Sequence, residues 1–295
     1  MRSHLFHYVI LWWSYLVVIV FFLIFLRKIT KGRVVWGLFW LLMLWLFVRT
    51  RWREPQQVIV VDHLLEVGFE KNIVLLGDLH LWVFKDRSYL TKVVKKVNQQ
   101  AHIDAVLIAW DFTYEPLDTS VEALTDLFSP LSEIQVPVFA VLWNHDVQHP
   151  GPAIRNKLIQ ALNSNDVIFL HNDIYGRGDE YLVWLWPRMS GEDDVSLLDE
   201  VESDDNVIVL THNPDTIELY RSNAADLTLV WHTHCGQIRI PYLQQYIRPY
   251  IYPITSNVDC GWYPEKRLFI TPGLGEVMLP LRFLNPPTIN VLRLR

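Results

Sequence analysis

The chain has 295 residues, a formal net charge of -6, and 51% apolar residues, with 13 tryptophans and only 12 glycines. The acidic balance argues against nucleic-acid binding through a broad basic face. A small anionic substrate stays open, because bound cations invert the local field.

The first 50 or so residues are far more apolar than the remaining ~240, which suit one α/β domain. Residues 8–26 carry no charge and match the roughly 20 residues of a spanning helix. After the basic RKITKGR stretch, a second apolar run occupies 34–48 between Arg33 and Arg49. It is short for a span, but snorkelling arginines extend it. A cleaved signal peptide fits poorly, since the first run is long and no small-residue cleavage site follows. We therefore expect a membrane anchor and linker over 1–54 (spans 8–26 and 34–48) and one folded domain over 55–295. One span plus an interfacial helix is the alternative. Orientation is a tie: Arg27, Lys28, Lys31 and Arg33 lie between the runs, and Arg2, Arg49, Arg51 and Arg53 flank them. The linker arginines either meet anionic head groups or are simply solvated.

Beyond residue 55, apolar strands alternate with amphipathic helices. Strands are expected at 72–76, 103–109, 136–142, 167–170, 182–186, 206–210, 227–230, 267–270 and 289–294. Helices are expected at 89–100, 120–127, 152–162 and near 195–201. The 89–100 segment places Leu90, Val93, Val94 and Val97 at helical spacing. This interleaving implies an α/β layered fold. Two cysteines, Cys235 and Cys260, are too few for a disulfide framework, and Cys235 reads as a packed thiol.

Five polar clusters each follow an apolar strand: GDLH at 77–80, WDF at 110–112, WNHD at 143–146, THN at 211–213 and WHTH at 231–234. Ligands of α/β sheets gather at the carboxyl ends of strands. Asp and Asn offer hard oxygens and His offers imidazole nitrogen, a mixture suited to Mn, Fe or Zn. One D-x-H or H-x-H is weak, but five such pieces in order point to a metal centre. His4, His7, His63, His102, His149 and His171 match no motif position.

In this order the clusters resemble the calcineurin-like metallophosphoesterases: D-x-H, G-D, G-N-H-D/E, H, then G-H-x-H. The late segments HCGQIRIP at 234–241, GLG at 273–275 and LPLR at 279–282 resemble that family's membrane-anchored bacterial branch. The resemblance implies a four-layer αββα sandwich behind the N-terminal helices, and a bacterial cell membrane. It implies two divalent ions, one held by Asp78, His80 and His234, the other by Asn144, His212 and His232, with Asp111 bridging. His145 would be the general acid and Asp146 its orienting partner. The implied activity is hydrolysis of a phosphoester or pyrophosphate bond, with a lipid-linked substrate at the membrane surface as one form. A membrane-tethered binding protein that has lost turnover is the alternative. The Tyr-rich 241–253 stretch reads either as a lip toward lipid or substrate, or as a loop packed on the domain.

Four positions depart from the pattern: Trp82, Trp110, Trp143 and Trp231 stand where the family has glycine. Glycine serves where backbone packs closely or φ is positive, so an indole there is hard to accommodate. A tryptophan-lined pocket and a decayed site are two explanations. The third is that UGA codons meaning glycine have been read as tryptophan, which also accounts for the Trp excess and the Gly deficit; Trp184 and Trp186 fit the same set.

Overall fold

A computed structural model describes residues 2–109, 111–114, 116, 118–142, 154–170, 174–177, 180–184, 198–199, 201, 205–211, 217, 224–230, 234–243, 246, 259–277 and 279–295. Two apolar helices open the chain, α1 (Arg2–Thr30) and α2 (Val34–Val48), packed side by side as a hairpin. Both are long and apolar enough to cross a bilayer, over Tyr8–Thr30 and Val34–Gln56. They expose large apolar side chains along their length, including Trp12, Trp13, Val35 and Trp36. Surface of that kind is expected to be covered.

The rest of the chain builds two six-stranded sheets. The first runs β1 (Ile59–Leu65), β12 (Thr288–Leu294), β2 (Lys71–Gly77), β3 (Ala105–Ala109), β4 (Val138–Val141), β5 (Val167–Phe169). The pairs β2–β3, β3–β4 and β4–β5 are parallel, and β12 runs antiparallel to β2. The second sheet runs β10 (Gly261–Tyr263), β11 (Leu268–Ile270), β9 (Leu227–Val230), β8 (Asn206–Leu210), β7 (Glu180–Trp184), β6 (Ile174–Arg177). Its centre, β11–β9–β8–β7, is parallel.

The period of two along each strand decides the layers. Val74, Leu76, Val106, Ile108, Val138 and Ala140 face one core with helices α3 (Arg87–Val97), α4 (Val121–Phe128) and α5 (Arg155–Asn163). Their alternates, Ile73, Leu75, Leu107, Ala109, Phe139 and Val141, face Ile208, Leu210, Leu227, Leu229 and Phe269 of the second sheet. The outer face of that sheet is covered by Leu198, Val201, Ala225 and Ile217. Helix starts follow from their caps: Asp86 accepts from the amides of Ser88 and Tyr89, and Ser120 from that of Ala123. Such caps contribute roughly 1 kcal/mol each.

Strands β1, β6 and β10 were not expected from the sequence. All three lie at or next to sheet edges and are only partly buried where described, so their patterns lack a clear apolar face. The helix expected near 195–201 and the first residues of the one expected at 152–162 fall mostly outside the described residues.

The linker is helical and partly buried. Helix α2 continues through a π-helical turn, Arg49–Arg53, and a 3-10 turn, Glu54–Gln56. Arg51 and Glu54 are buried there. The Thr50 carbonyl accepts from Arg282 N at 3.0 Å, and a Glu54 carboxylate oxygen accepts from Asn285 N at 2.8 Å. The hairpin is thereby locked to the 282–285 segment of the domain.

Candidate metal centre

Strand β2 ends at Gly77, and the backbone turns at once. Asp78 and His80 adopt φ of 44° and 41°, Asp111 after β3 46°, and His234 after β9 44°. Left-handed backbone at a non-glycine residue costs about 1–3 kcal/mol and persists only where the surroundings enforce it. Here neighbouring loops enforce it. Asp78 N donates to Ala109 O, His80 N to Asp111 O at 2.7 Å, and Leu81 N to Phe112 O. The loops after β2 and β3 thus continue the sheet's pairing past its end. Asn285 Nδ2 donates to the carbonyls of His234 and Gly236 and fixes the third loop.

The consequence is convergence. Asp78, His80 and His234, all buried, bring one donor atom each within 4.8 Å of one another. His234 Nε2 lies 3.5 Å from Asp78 Oδ2, and His80 Nε2 lies 3.6 Å from Asp111 Oδ2. The two imidazoles stack with centroids 5.2 Å apart. Two imidazoles and a carboxylate turned toward one point fit a divalent transition ion. The loops of both sheets meet here, which neither sheet could achieve alone. Asn144, His145, Asp146, His212 and His232 lie outside the described residues.

The segment after β11 backs this cluster. Gly275 N donates to Asp78 O at 2.6 Å, and a Cβ on Gly275 would lie 2.8 Å from that oxygen and closer still to Leu79 O and His80 Cβ. Only glycine fits there. A buried charge cluster holds the segment. Glu276 Oε1 accepts from Lys85 Nζ at 2.7 Å and from Arg282 Nε at 2.9 Å. Arg282 also donates to the carbonyls of Gly273, Gly275 and Asn285, and Tyr89 Oη to that of Leu274. The family-like segments 273–275 and 279–282 hinted at this support. Lys85 and Glu276 carried no signal, since nothing local in either marks a partner some 190 positions away.

Burial holds the Lys85 ammonium down at about 7, against an ordinary 10.5, in spite of Glu276. Below pH 7 the folded and unfolded chains both carry that proton and the burial cost is complete. Between pH 7 and 10.5 the unfolded chain keeps a proton the folded chain has released, so this group makes stability rise with pH. Melting curves from pH 7 to 9.5 should show an upward contribution that Lys85→Met removes. A Lys85→Met slope equal to wild type would contradict it.

Two sequence expectations change. Cys235 is not a packed free thiol: it is disulfide-bonded to Cys260, with Cα atoms 5.4 Å apart. The bond staples the residue after His234 to the approach to β10. At position 82 the backbone does not demand glycine. Trp82 is buried, its φ is not positive, and its ring stands edge-on to Phe84 at 4.7 Å and Tyr114 at 5.0 Å. Trp110, Trp143 and Trp231 lie outside the described residues. The composition argument predicts UGA codons at 82, 110, 143 and 231 of the gene; UGG at all four would leave Trp82 a literal member of this aromatic cluster.

Residues 71–236, more than half of the chain, match the family described as calcineurin-like phosphoesterase. The chain belongs to this family. As a calcineurin-like phosphoesterase it is a hydrolase with a metallophosphoesterase fold. It is 28% identical to Phosphodiesterase YaeI of Escherichia coli (strain K12) over 236 residues, 76% of this chain and 82% of that protein. An uncharacterized metallophosphoesterase of Helicobacter pylori (strain J99) is also 28% identical, over 76% of this chain but only 60% of its own length. UDP-2,3-diacylglucosamine pyrophosphatase LpxG of Chlamydia muridarum is 23% identical over 83% of this chain and 88% of that protein.

Proposed function

We propose that this phosphoesterase hydrolyses a phosphoester or pyrophosphate bond at a membrane surface with two divalent ions. The observation that carries the reading is the buried convergence of Asp78, His80 and His234 on left-handed backbone at strand ends. Asp111, 3.6 Å from His80, is suited to bridge. Asn144 follows β4, next to β3; His212 follows β8, next to β9; His232 precedes His234 by two. Those chain positions support them as the second ion's ligands.

When bound, a pair of divalent cations would supply activation of water and neutralisation of phosphoryl charge. The chain supplies the rest. Asp78 and Asp111 set the charge of the site, and the stacked imidazoles set its geometry. His145 donates a proton to the departing oxygen, with Asp146 orienting its ring. Hydrolysis of a chromogenic phosphodiester should need added Mn, Fe or Zn and stop with a chelator. Metal-loaded, folded protein with no turnover on any phosphoester or pyrophosphate would favour the binding-protein reading.

The hairpin and the 238–246 stretch support a substrate at the bilayer. Arg239 N donates to Phe283 O, beside the segment that holds the linker, and Tyr242, Leu243 and Tyr246 are exposed there. Exposed apolar residues beside an anchor suit contact with an amphiphile. LpxG, by its name, acts on a diacylated nucleotide sugar; a lipid-linked pyrophosphate is one substrate to assay.

The Cys235–Cys260 pairing supports a domain outside the cytoplasm, since disulfides persist in oxidising compartments; the even count of flanking cations does not choose between the two sides. Maleimide labelling of the denatured chain should modify neither cysteine without reductant and both with it. Two free thiols in protein isolated from its membrane would reverse the assignment.

A further inference from the structure

Two neighbouring segments of the domain expose large apolar side chains: Ile238, Ile240, Tyr242 and Leu243 on one, Leu279 and Leu284 on the other. Ile238 and Ile240 alternate with the less exposed Gln237 and Arg239, as side chains two apart on extended backbone share a side. The segments are joined through the backbone. Ile238 pairs with Phe283, Arg239 N donates to Phe283 O at 2.8 Å, and Phe283 N donates to Gln237 O at 2.9 Å. The Gln237 amide also donates to the carbonyls of Val277 and Leu279. An apolar patch of this kind on a folded surface marks an interaction site.

Charge does not oppose burial of this surface. Among the described residues of 236–246 and 277–285, the charged side chains are Arg239 and Arg282. Arg239 pairs with Asp259 at 2.8 Å, and Arg282 is buried against Glu276 at 2.9 Å. A charged protein partner would find no unpaired charge to meet here, whereas an acyl layer needs none.

The hairpin says what covers it. Arg282 N donates to Thr50 O, and the Arg49 guanidinium lies over the rings of Trp45 and Phe283 at 5.7 and 5.9 Å. Leu279, Pro280 and Leu281 face Val9, Ile10 and Trp13 of α1 and Phe47 of α2 across an apolar cavity of about 290 Å³. Those helix residues lie within the candidate spans Tyr8–Thr30 and Val34–Gln56. Trp13 is five residues into the first span, about 7.5 Å along a helix axis. Elements that lie in a membrane interface are sunk about 5–10 Å into the head-group and acyl boundary. A hairpin that spans a bilayer therefore brings residues 279–281 to that depth, and the exposed side chains joined to them toward the same boundary.

We propose that segments 238–243 and 279–284 form an apolar shoulder resting in the head-group and acyl boundary of the bilayer that the hairpin spans. The domain is then held to the membrane by an interfacial surface as well as by its helices. The occupant is the bilayer itself and not a substrate molecule. The proposal rests on the hairpin being membrane-embedded, but not on the catalytic reading. His234 precedes Ile238 by four residues, at most about 14 Å of chain. The shoulder thus keeps the candidate metal centre close to the lipid head groups, where the phosphoesters of the membrane lie.

The test uses the full chain in phosphatidylcholine nanodiscs, with one environment-sensitive dye on Tyr242→Cys, Leu243→Cys or Gln135→Cys. The native cysteines are paired and take no dye. Gln135 is exposed just before β4, which runs parallel to β3, so it marks the strand end opposite Asp111. Dyes at 242 and 243 should lose most of their emission to lipid carrying a nitroxide high on its acyl chain, and little to aqueous iodide. The dye at 135 should do the reverse. Equal iodide quenching at the three positions overturns the proposal, and so does equal lipid quenching, which is the dye's own affinity for lipid. Shielding from both quenchers, with undyed Leu243→Cys cross-linking to itself, makes the surface a contact between copies and overturns it too. Two shoulder positions keep the test decisive where one variant fails to fold. Release of the chain from native membranes by carbonate refutes the anchor and the proposal with it, whereas loss of turnover bears on neither.

Discussion

Asp78→Ala should lower phosphoesterase turnover by about 10³-fold or more, the several kcal/mol a metal supplies to a phosphoryl transition state. It should also strip metal from the purified protein. Asp78 is the sole carboxylate of the buried trio and lies 3.5 Å from His234. Without it two stacked imidazoles remain to hold a cation, with Asp111 beside His80 as the remaining negative charge. Elemental analysis beside the rate separates loss of metal from loss of fold. Asp111→Ala carries the two-ion reading further: a bridging carboxylate serves both sites, so metal content should fall from two equivalents toward none. Unchanged turnover in either variant would contradict the site. A preparation of wild type that saturates at one equivalent while fully active would reduce it to a single ion.

Gly275→Ala should be nearly as damaging, although Gly275 touches no substrate. The added methyl has nowhere to go: Asp78 O, Leu79 O and His80 Cβ all lie inside its contact distance. Overpacking of this kind costs about 1–3 kcal/mol, a fall in melting temperature of roughly 2–4 °C for each kcal/mol. The larger effect is on rate. The displaced group is the loop that carries two candidate metal ligands, and a misplacement near 1 Å costs on the order of 10²-fold. Turnover should therefore drop far more than stability. A variant that melts early yet keeps its metal and its rate would show that the Gly275 contact supports the fold alone.

The anchor and the candidate metal centre share one structural element. Residues 273–285 back the metal ligands at one end and receive the linker at the other, through Arg282 N to Thr50 O and Asn285 N to Glu54. Asn285 joins the two most directly, since its side chain also holds the carbonyl of His234. The anchor is built into the support of the site, so removal of residues 1–54 would deprive Asn285 and Arg282 of buried partners.

Much of this was legible in the chain itself. Strand and helix positions followed from apolar periods, because burial on one face imposes a period of two or of 3.6 whatever the partner is. The candidates Asp78, His80 and His234, which the fold brings together, were legible because a strand end followed by hard donors is a local pattern, and the family likeness gave the pattern an order. What stayed hidden is non-local. The Cys235–Cys260 pairing, the Lys85–Glu276–Arg282 cluster, the burial of Arg51 against Ser14 and the edge strand β1 all depend on residues brought together from distant parts of the chain. Composition and spacing carry no term for such meetings. The sequence by itself determined which residues could ligate and which helices could enter a bilayer, since side-chain chemistry and hydropathy are properties of each segment. Only the tertiary structure decided that the loops of two sheets share one point and that Arg51 and Glu54 of the linker are buried at the domain, since those are matters of distance.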